Sequence, residues 1–316
     1  MERRGAKAGT TAGVIGLGEI GRGVASALAK AGIPLTVCDI LPTATEPFAA
    51  VARIARDPAD LAGTSDVIVV AVVDDAQAMA VLDGEEGALA GAIPGSVVLL
   101  LSTVSPETVR AVARLALVRG VDVLDCGVSG GPAAASAGSL IAMLGGDQKV
   151  VDRVAPVLDG FTSLTVRMGP LGAGLQAKLA RNLVQYASWM AAFEAQELAE
   201  AAGIDLLKLA EVIRASDQWI GGSARLMFRK TATAFTPDDH PDIVGAMRHG
   251  AALAHKDLRA ALALGDRLGV ALPLAAMTEA RTDALFGLAP DPLGGPGRSR
   301  RTKNGTGMPG PIPGEE

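Results

Sequence analysis

Thr11-Ala12-Gly13-Val14-Ile15-Gly16-Leu17-Gly18-Glu19-Ile20-Gly21 is the stretch on which the fold turns. A short apolar run ends at Gly16, and a helical pattern opens just after Gly18 and continues to about residue 31. Between them Gly16, Gly18 and Gly21 make a G-x-G-x-x-G. In a chain with 39 glycines that spacing alone says little. Its setting says more: a strand precedes it, a helix follows it, and Asp39 closes the next apolar run, 18 positions beyond Gly21. The first glycine permits the tight turn, the second lets a pyrophosphate approach the backbone, and the third lets helix and strand pack closely. The helix start adds unpaired amides and partial positive charge. Gly16, Gly18, Glu19, Ile20 and Gly21 are therefore the candidate cofactor-binding residues of this turn. A glycine-rich turn of purely structural use is the competing reading, and the strand, the helix and Asp39 weigh against it.

Working outward, short apolar runs at 11–17, 35–39, 66–72, 96–101, 121–125, 140–144 and 164–168 read as strands. Several are apolar throughout, as strands covered on both faces are. Helical patterns at 20–31, 75–82, 106–119 and 148–158 lie between most of them. This alternation predicts an α/β fold, a Rossmann-type, doubly wound parallel sheet. Asp39 then selects the cofactor. A carboxylate there accepts hydrogen bonds from the ribose hydroxyls of NAD and repels the 2′-phosphate of NADP. The following Ile40-Leu41-Pro42-Thr43 offers no Arg or Lys to that phosphate. The expected cofactor is NAD.

Composition narrows the class. At 316 residues the chain has room for about two domains. Apolar and charged contents of 49% and 20% are ordinary for a globular protein. A net charge of −5 without a basic patch argues against a nucleic-acid partner. No apolar run approaches the about 18 residues of a membrane span, and the basic Met1-Glu2-Arg3-Arg4 is not followed by a signal-peptide core. Cys38 and Cys126 lie in apolar runs and read as reduced core residues of a cytoplasmic protein. His240, His249 and His255 have no metal-ligand spacing, and no metal is expected.

Two further stretches carry chemistry. Asp125-Cys126-Gly127-Val128-Ser129-Gly130-Gly131-Pro132 follows another apolar run. Successive amides at Ser129, Gly130 and Gly131 form either a nest for a carboxylate or a flexible strand-to-helix turn, and local chemistry leaves both open. The second is a long helical pattern from Gly172-Ala173-Gly174 to about residue 202, stopped by Gly203 and roughly 40 Å long. Lys178, Asn182, Gln185 and Trp189 share one stripe of it, and Leu179, Leu183, Tyr186, Met190 and Phe193 form an apolar stripe beside them.

With these motifs in order the chain resembles the β-hydroxyacid dehydrogenase family, which includes 3-hydroxyisobutyrate dehydrogenase and tartronate semialdehyde reductase. The resemblance rests on Gly16–Gly21 continuing through Gly23-Val24-Ala25-Ser26-Ala27-Leu28, on Val128-Ser129-Gly130-Gly131 with Ala137-Gly138-Ser139-Leu140, on Gly172-Ala173-Gly174 with Lys178 and Asn182, and on Lys256-Asp257-Leu258. It spans roughly residues 11–287 and implies an NAD-dependent oxidoreductase of a small 3-hydroxy acid. Residue by residue, it implies that Lys178 is the catalytic acid and base and that Asn182 positions the substrate. Ser129, Gly130 and Gly131 would hold the substrate carboxylate. Thr103 would stand beside the nicotinamide, Val72 and Val73 beneath the cofactor, and Lys256 against it. It also implies a homodimer or homotetramer, which the apolar stripe of the long helix favours independently.

Two departures accompany the resemblance. The family usually has Ala-Pro where this chain has Cys126-Gly127, so the approach to the glycine loop is expected to be looser. Val72-Val73-Asp74-Asp75 lacks the Leu-Pro common at that strand end. The alternatives are an imine reductase, which usually carries Asp or Tyr in place of Lys178 and prefers NADP, and a non-catalytic nucleotide-binding relative, which loses the lysine. The domain plan is 11–171 for the NAD-binding domain and 172–288 for an all-α substrate and oligomerisation domain, linked by the long helix at 172–202. Within the latter, 206–215, 244–268 and 272–286 read as helices, with a break at Ser216–Ser223 in which Trp219 either walls a substrate pocket, as the resemblance implies, or packs against core or partner, the reading favoured here. Asp238-Asp239-His240-Pro241 reads as an acidic loop, and 289–316 as a disordered tail.

Overall fold

The structure is a computed structural model and describes residues 9–220, 222 and 233–290. Its first half runs β1 (Ala12–Ile15), α1 (Glu19–Lys30), β2 (Leu35–Cys38), α2 (Pro42–Thr45), β3 (Arg53–Ile54), α3 (Pro58–Ala62), β4 (Val67–Val70), α4 (Asp75–Leu82), α5 (Ala88–Gly91), β5 (Val97–Leu100) and α6 (Pro106–Leu117). It continues with β6 (Asp122–Ser129), α7 (Gly131–Ser136), β7 (Leu140–Gly145), α8 (Gln148–Phe161) and β8 (Thr162–Gly169). Helices α9 (Ala173–Ala201), α10 (Leu206–Ile220), α11 (Pro241–Leu268), α12 (Pro273–Ala280) and α13 (Thr282–Leu285) follow. The chain divides into two compact units after Leu183, so the opening turns of α9 belong to the sheet unit.

The strands form one sheet in the order β3-β2-β1-β4-β5-β6-β7-β8. Every residue of β1, β2, β4 and β5 is buried, because helices cover both faces. Successive side chains enter opposite layers. Val14, Val37, Val69 and Leu99 pack with α1 and α8, whereas Ile15, Cys38, Ile68 and Val98 pack with α3, α4 and α6. The strand order reverses between β1 and β4, and sheets of this kind bind ligands outside the carboxyl ends of the strands at that point. Both cysteines are buried and free. Burial, with Asp57 and Asp39 nearby, pushes the Cys38 thiol up to about 11, and burial beside Asp125 raises that of Cys126 as well. No helix among the described residues is long and apolar enough to cross a membrane.

The expected strands are all present, but the sheet is not parallel throughout. Strands β6 and β7 are antiparallel, from Asp125 opposite Gly145 to Ser129 opposite Ile141. The connection between them holds only α7 and two turns, and a parallel crossover needs about a dozen residues or more. Strand β8 is parallel to β7, so the chain leaves it beside Gly145 and Asp125, where α9 begins. The short pieces β3, α2, α3, α5 and α7 were not expected; elements of two to six residues carry too little periodicity to be read.

In the second unit, α10 runs through the expected break to Ile220, so Trp219 is a helical residue, and at 88% exposure it is not part of this chain's own core. Ser216 turns its hydroxyl back onto the Ile213 carbonyl at 3.0 Å, and polar residues on an exposed helix face do not end the helix. Gly221 and Ser223 of that break lie outside the described residues, as does the expected tail from residue 291. The acidic loop is a helix entry: His240 caps α11 by accepting the Asp242 amide at 3.3 Å, with Pro241 at the first helical position. The expected last helix is two, interrupted at Arg281. Glu194, a buried carboxylate on α9, accepts the Leu274 and Ala275 amides at 2.6 and 3.0 Å and so anchors the start of α12.

Candidate active site

The carboxyl ends of β1 and β2 build the first half of the site. Gly16 has φ +86, and a Cβ there would lie 2.6 Å from the Ala71 carbonyl. Gly21 packs directly on the turn; a Cβ would lie 1.9 Å from the Gly16 carbonyl. Gly18, before the first helical residue Glu19, faces open space. Ile20 packs inward on the α1 layer, so it supports the turn from below. Asp39 locks this turn to β2, accepting the Leu17 amide at 2.6 Å and the Leu41 amide at 2.9 Å. A carboxylate has about four acceptor positions, so two remain for ribose hydroxyls. Ile40 beside it is 94% exposed and offers an apolar surface at the same edge. Open backbone over Gly18, a helix start and a half-satisfied carboxylate fit a dinucleotide.

The ends of β4 and β5 are tied to each other. Ser102 accepts the Val72 amide at 2.9 Å, and Asp75 accepts both the amide and the hydroxyl of Ser105 at 2.8 and 2.7 Å. Hydrogen bonds from Thr108 and Ser105 hold the Asp75 carboxyl below its usual range. Val73 and Thr103 are exposed on either side of this tie. The missing Leu-Pro is thus replaced by a polar brace.

The end of β6 meets the start of α9. Ser129 closes the strand, Gly130 has φ +125 and Gly131 φ +70, conformations open to glycine and strained for other residues. The turn leads from β6 straight into α7 at Gly131. Lys178, one and a half turns into α9, donates its ammonium to the carbonyl of Val128, the residue before Ser129. Burial, and then the Arg181 charge, lower the Lys178 pKa from its ordinary value. Asn182, one turn further, is half-buried, with its amide oxygen 3.5 Å from Arg181 Nη1. The structure therefore brings Ser129, Gly130 and Lys178 to one place, with Asn182 next on the same face. The expected looseness at Gly127 is not found. Gly127 is buried and paired with Met143 in the sheet, and a Cβ there would lie 2.5 Å from the Lys178 Cβ. Lys256 lies in the other unit, on α11, with its ammonium 3.2 Å from Asp257.

A family model described as the NAD binding domain of 6-phosphogluconate dehydrogenase matches residues 11–169, and one described as NAD-binding of NADP-dependent 3-hydroxyisobutyrate dehydrogenase matches 172–287. The chain belongs to the β-hydroxyacid dehydrogenase family. It is 37% identical to an uncharacterized oxidoreductase of Mycobacterium tuberculosis, over 87% of this chain and 93% of that one. It is 34% identical to the NAD-dependent L-serine dehydrogenase of Pseudomonas aeruginosa, over 64% of this chain and 68% of that one. A solved structure from Mycobacterium avium 104, named no more closely than as an oxidoreductase, superposes with a TM-score of 0.82 at 37% identity, over 88% of this chain and 99% of that one. As a β-hydroxyacid dehydrogenase, the protein is an oxidoreductase that uses a nicotinamide cofactor.

Three residues of this β-hydroxyacid dehydrogenase escaped the sequence reading. Ser102 and Asp75 brace the ends of β4 and β5, and Ser105-Pro106 was a legible helix start that pointed to them. The third, Asp125, is a fully buried carboxylate in an apolar strand; its amide partners Gly172 and Leu175 stand 47 and 50 positions away.

Proposed function

We propose that this protein oxidises a small 3-hydroxy acid with NAD, and reduces the corresponding carbonyl acid with NADH, using Lys178 as the general acid and base. The observation that carries the reading is the ammonium of Lys178 seated beside the Ser129-Gly130-Gly131 turn. The substrate carboxylate lies on that turn, and its hydroxyl faces Lys178. Lys178 takes the hydroxyl proton in oxidation and returns it to the carbonyl oxygen in reduction. A lysine held below its ordinary pKa by burial suits both tasks. Asn182 keeps the substrate oxygen in line, a contribution of orientation. Gly16 to Gly21, Asp39, Val72, Val73, Thr103 and Lys256 hold the cofactor; the bound nicotinamide supplies the hydride acceptor. The free acceptor positions on Asp39 favour NAD over NADP.

Measuring NADH formation with 3-hydroxyisobutyrate, L-serine, glycerate, 3-hydroxypropionate and 4-hydroxybutyrate tests this. Turnover is expected with at least one 3-hydroxy acid, with kcat/KM about tenfold or more above that with NADP, the equivalent of about 1.4 kcal/mol. Silence across the panel, or a preference for NADP, overturns the reading. The named activity of the serine dehydrogenase relative makes L-serine the first substrate to try.

The assembly proposed is a homodimer or homotetramer. Leu179, Leu183, Tyr186, Met190 and Phe193 are all exposed along α9, an apolar stripe that a second copy would cover. Light scattering is expected to give twice or four times the 31.9 kDa chain mass, and a monomer alone would refute it. The buried free thiols support a cytoplasmic location.

A further inference from the structure

We propose that Asp125 is a positioning residue for Lys178, acting through a seat of three glycines that fixes how α9 crosses β6; this rests on the acid–base reading of Lys178. Asp125 is a fully buried carboxylate that the reaction as described does not use. Its two oxygens are engaged by the opening of α9: Oδ1 accepts the Gly172 amide at 2.6 Å and Oδ2 the Leu175 amide at 2.8 Å. A buried carboxylate is costly unless its oxygens are hydrogen-bonded, and helix-start amides are suited to it because they lack partners within the helix. The bond pair fixes both the axial position and the rotation of the first turn.

The glycines set the depth. A Cβ on Gly145 would lie 2.1 Å from Asp125 Oδ1, and one on Gly174 would lie 2.4 Å from the Met143 carbonyl and 2.7 Å from the Asp125 carbonyl. Helix and sheet therefore touch backbone to backbone. One turn beyond Gly174, on the same face, the Lys178 stem rests on Gly127, where a Cβ would come within 2.5 Å of the Lys178 Cβ. With the helix clamped at Asp125 and lowered onto Gly127, the lysine reaches the Val128 carbonyl and goes no further along the strand. The seat acts on where the ammonium stands, and through burial on how readily it gives up its proton.

Two variants separate positioning from folding. Asp125→Asn keeps the shape but turns a donor toward one of two backbone donors. Gly127→Ala leaves both Asp125 bonds intact and lifts the Lys178 stem. In each, kcat is expected to fall by roughly 10- to 100-fold, as a misplacement of about 1 Å does, while the Kd for NADH stays within about twofold of the parent. The pH limb of kcat moves to higher pH, because a less buried lysine has a higher pKa. The rate of Lys178 acetylation by acetic anhydride against pH, read by peptide mass spectrometry, reports the same shift without turnover. Should Asp125→Asn fail to fold, Gly127→Ala carries the test. A folded variant with the parent kcat and superimposed pH and labelling profiles overturns the proposal, even if its Tm is lower. If the labelling profile shifts but Lys178→Ala still turns over, the seat stands and the acid–base reading fails.

Discussion

Lys178→Ala is expected to lower kcat by about 10²- to 10⁴-fold, the usual contribution of a positioned acid–base group, with the Kd for NADH nearly unchanged. Alanine is the best helix former, and the α9 opening is held by Asp125 and the glycines, not by the lysine. The substitution removes one hydrogen bond to the Val128 carbonyl, at a half-buried position. The fold should therefore survive and the loss should be chemical. The pH dependence should go with it. Oxidation needs the neutral amine, so the parent rate rises with pH through the Lys178 pKa, and reduction needs the ammonium, so that rate falls through it. Both limbs are expected to vanish in Lys178→Ala. Arg181→Ala is the companion. The Arg181 charge disfavours the neighbouring ammonium and lowers its pKa, so removing it raises that pKa and moves both limbs to higher pH. Turnover of Lys178→Ala within tenfold of the parent, with its limb intact, would sink the assignment.

The ease with which each part was read tracks how local its cause is. Gly16, Gly18, Gly21 and Asp39 were legible as a turn because the spacing, the preceding strand and the following helix all lie within one short stretch, and the structure shows that turn held by close packing at Gly16 and Gly21 and by the Asp39 carboxylate. Strands β1, β2, β4 and β5 were legible because burial on both faces makes them apolar throughout. The reversal of β7 was not read, since strand direction depends on connection length and not on the pattern of the strand. The break from Ser216 was misplaced because a polar run on an exposed helix face resembles a loop in one dimension. Gly127 was the most instructive miss. Judged by its own φ freedom it looked like a loosening of the chain, whereas its purpose is to admit the side chain of a residue 51 positions later. Asp125 was overlooked for the same reason. A carboxylate in an apolar run has no local explanation, and its partners come from the far end of the domain.

The same distinction between local and non-local causes predicts that the fingerprint glycines fail differently. Gly21→Ala would place a methyl 1.9 Å from the Gly16 carbonyl, a contact that no side-chain rotation relieves. Helix α1 must back away from the turn, at a cost of about 1–3 kcal/mol, as for other overpacking. A fall of roughly 2–4 °C in Tm per kcal/mol is expected for a unit of this size. Because the same shift moves the amides that face the phosphates, the Kd for NADH should rise by about 100-fold, or about 2.7 kcal/mol. Gly18 is the contrast. Its φ of −62 and ψ of −171 are open to alanine, and a Cβ there meets nothing within 4 Å. Gly18→Ala should therefore leave Tm unchanged and still weaken NADH by roughly tenfold or more, about 1.4 kcal/mol, because the methyl fills the space through which the pyrophosphate approaches. Calorimetry for Tm and fluorescence titration with NADH measure both quantities on both variants. If Gly18→Ala binds NADH as the parent does, the phosphates do not pass over Gly18, and the glycine-rich turn serves the fold alone. If Gly21→Ala keeps its Tm, the close packing of α1 on the Gly16 carbonyl is not what holds this edge of the sheet.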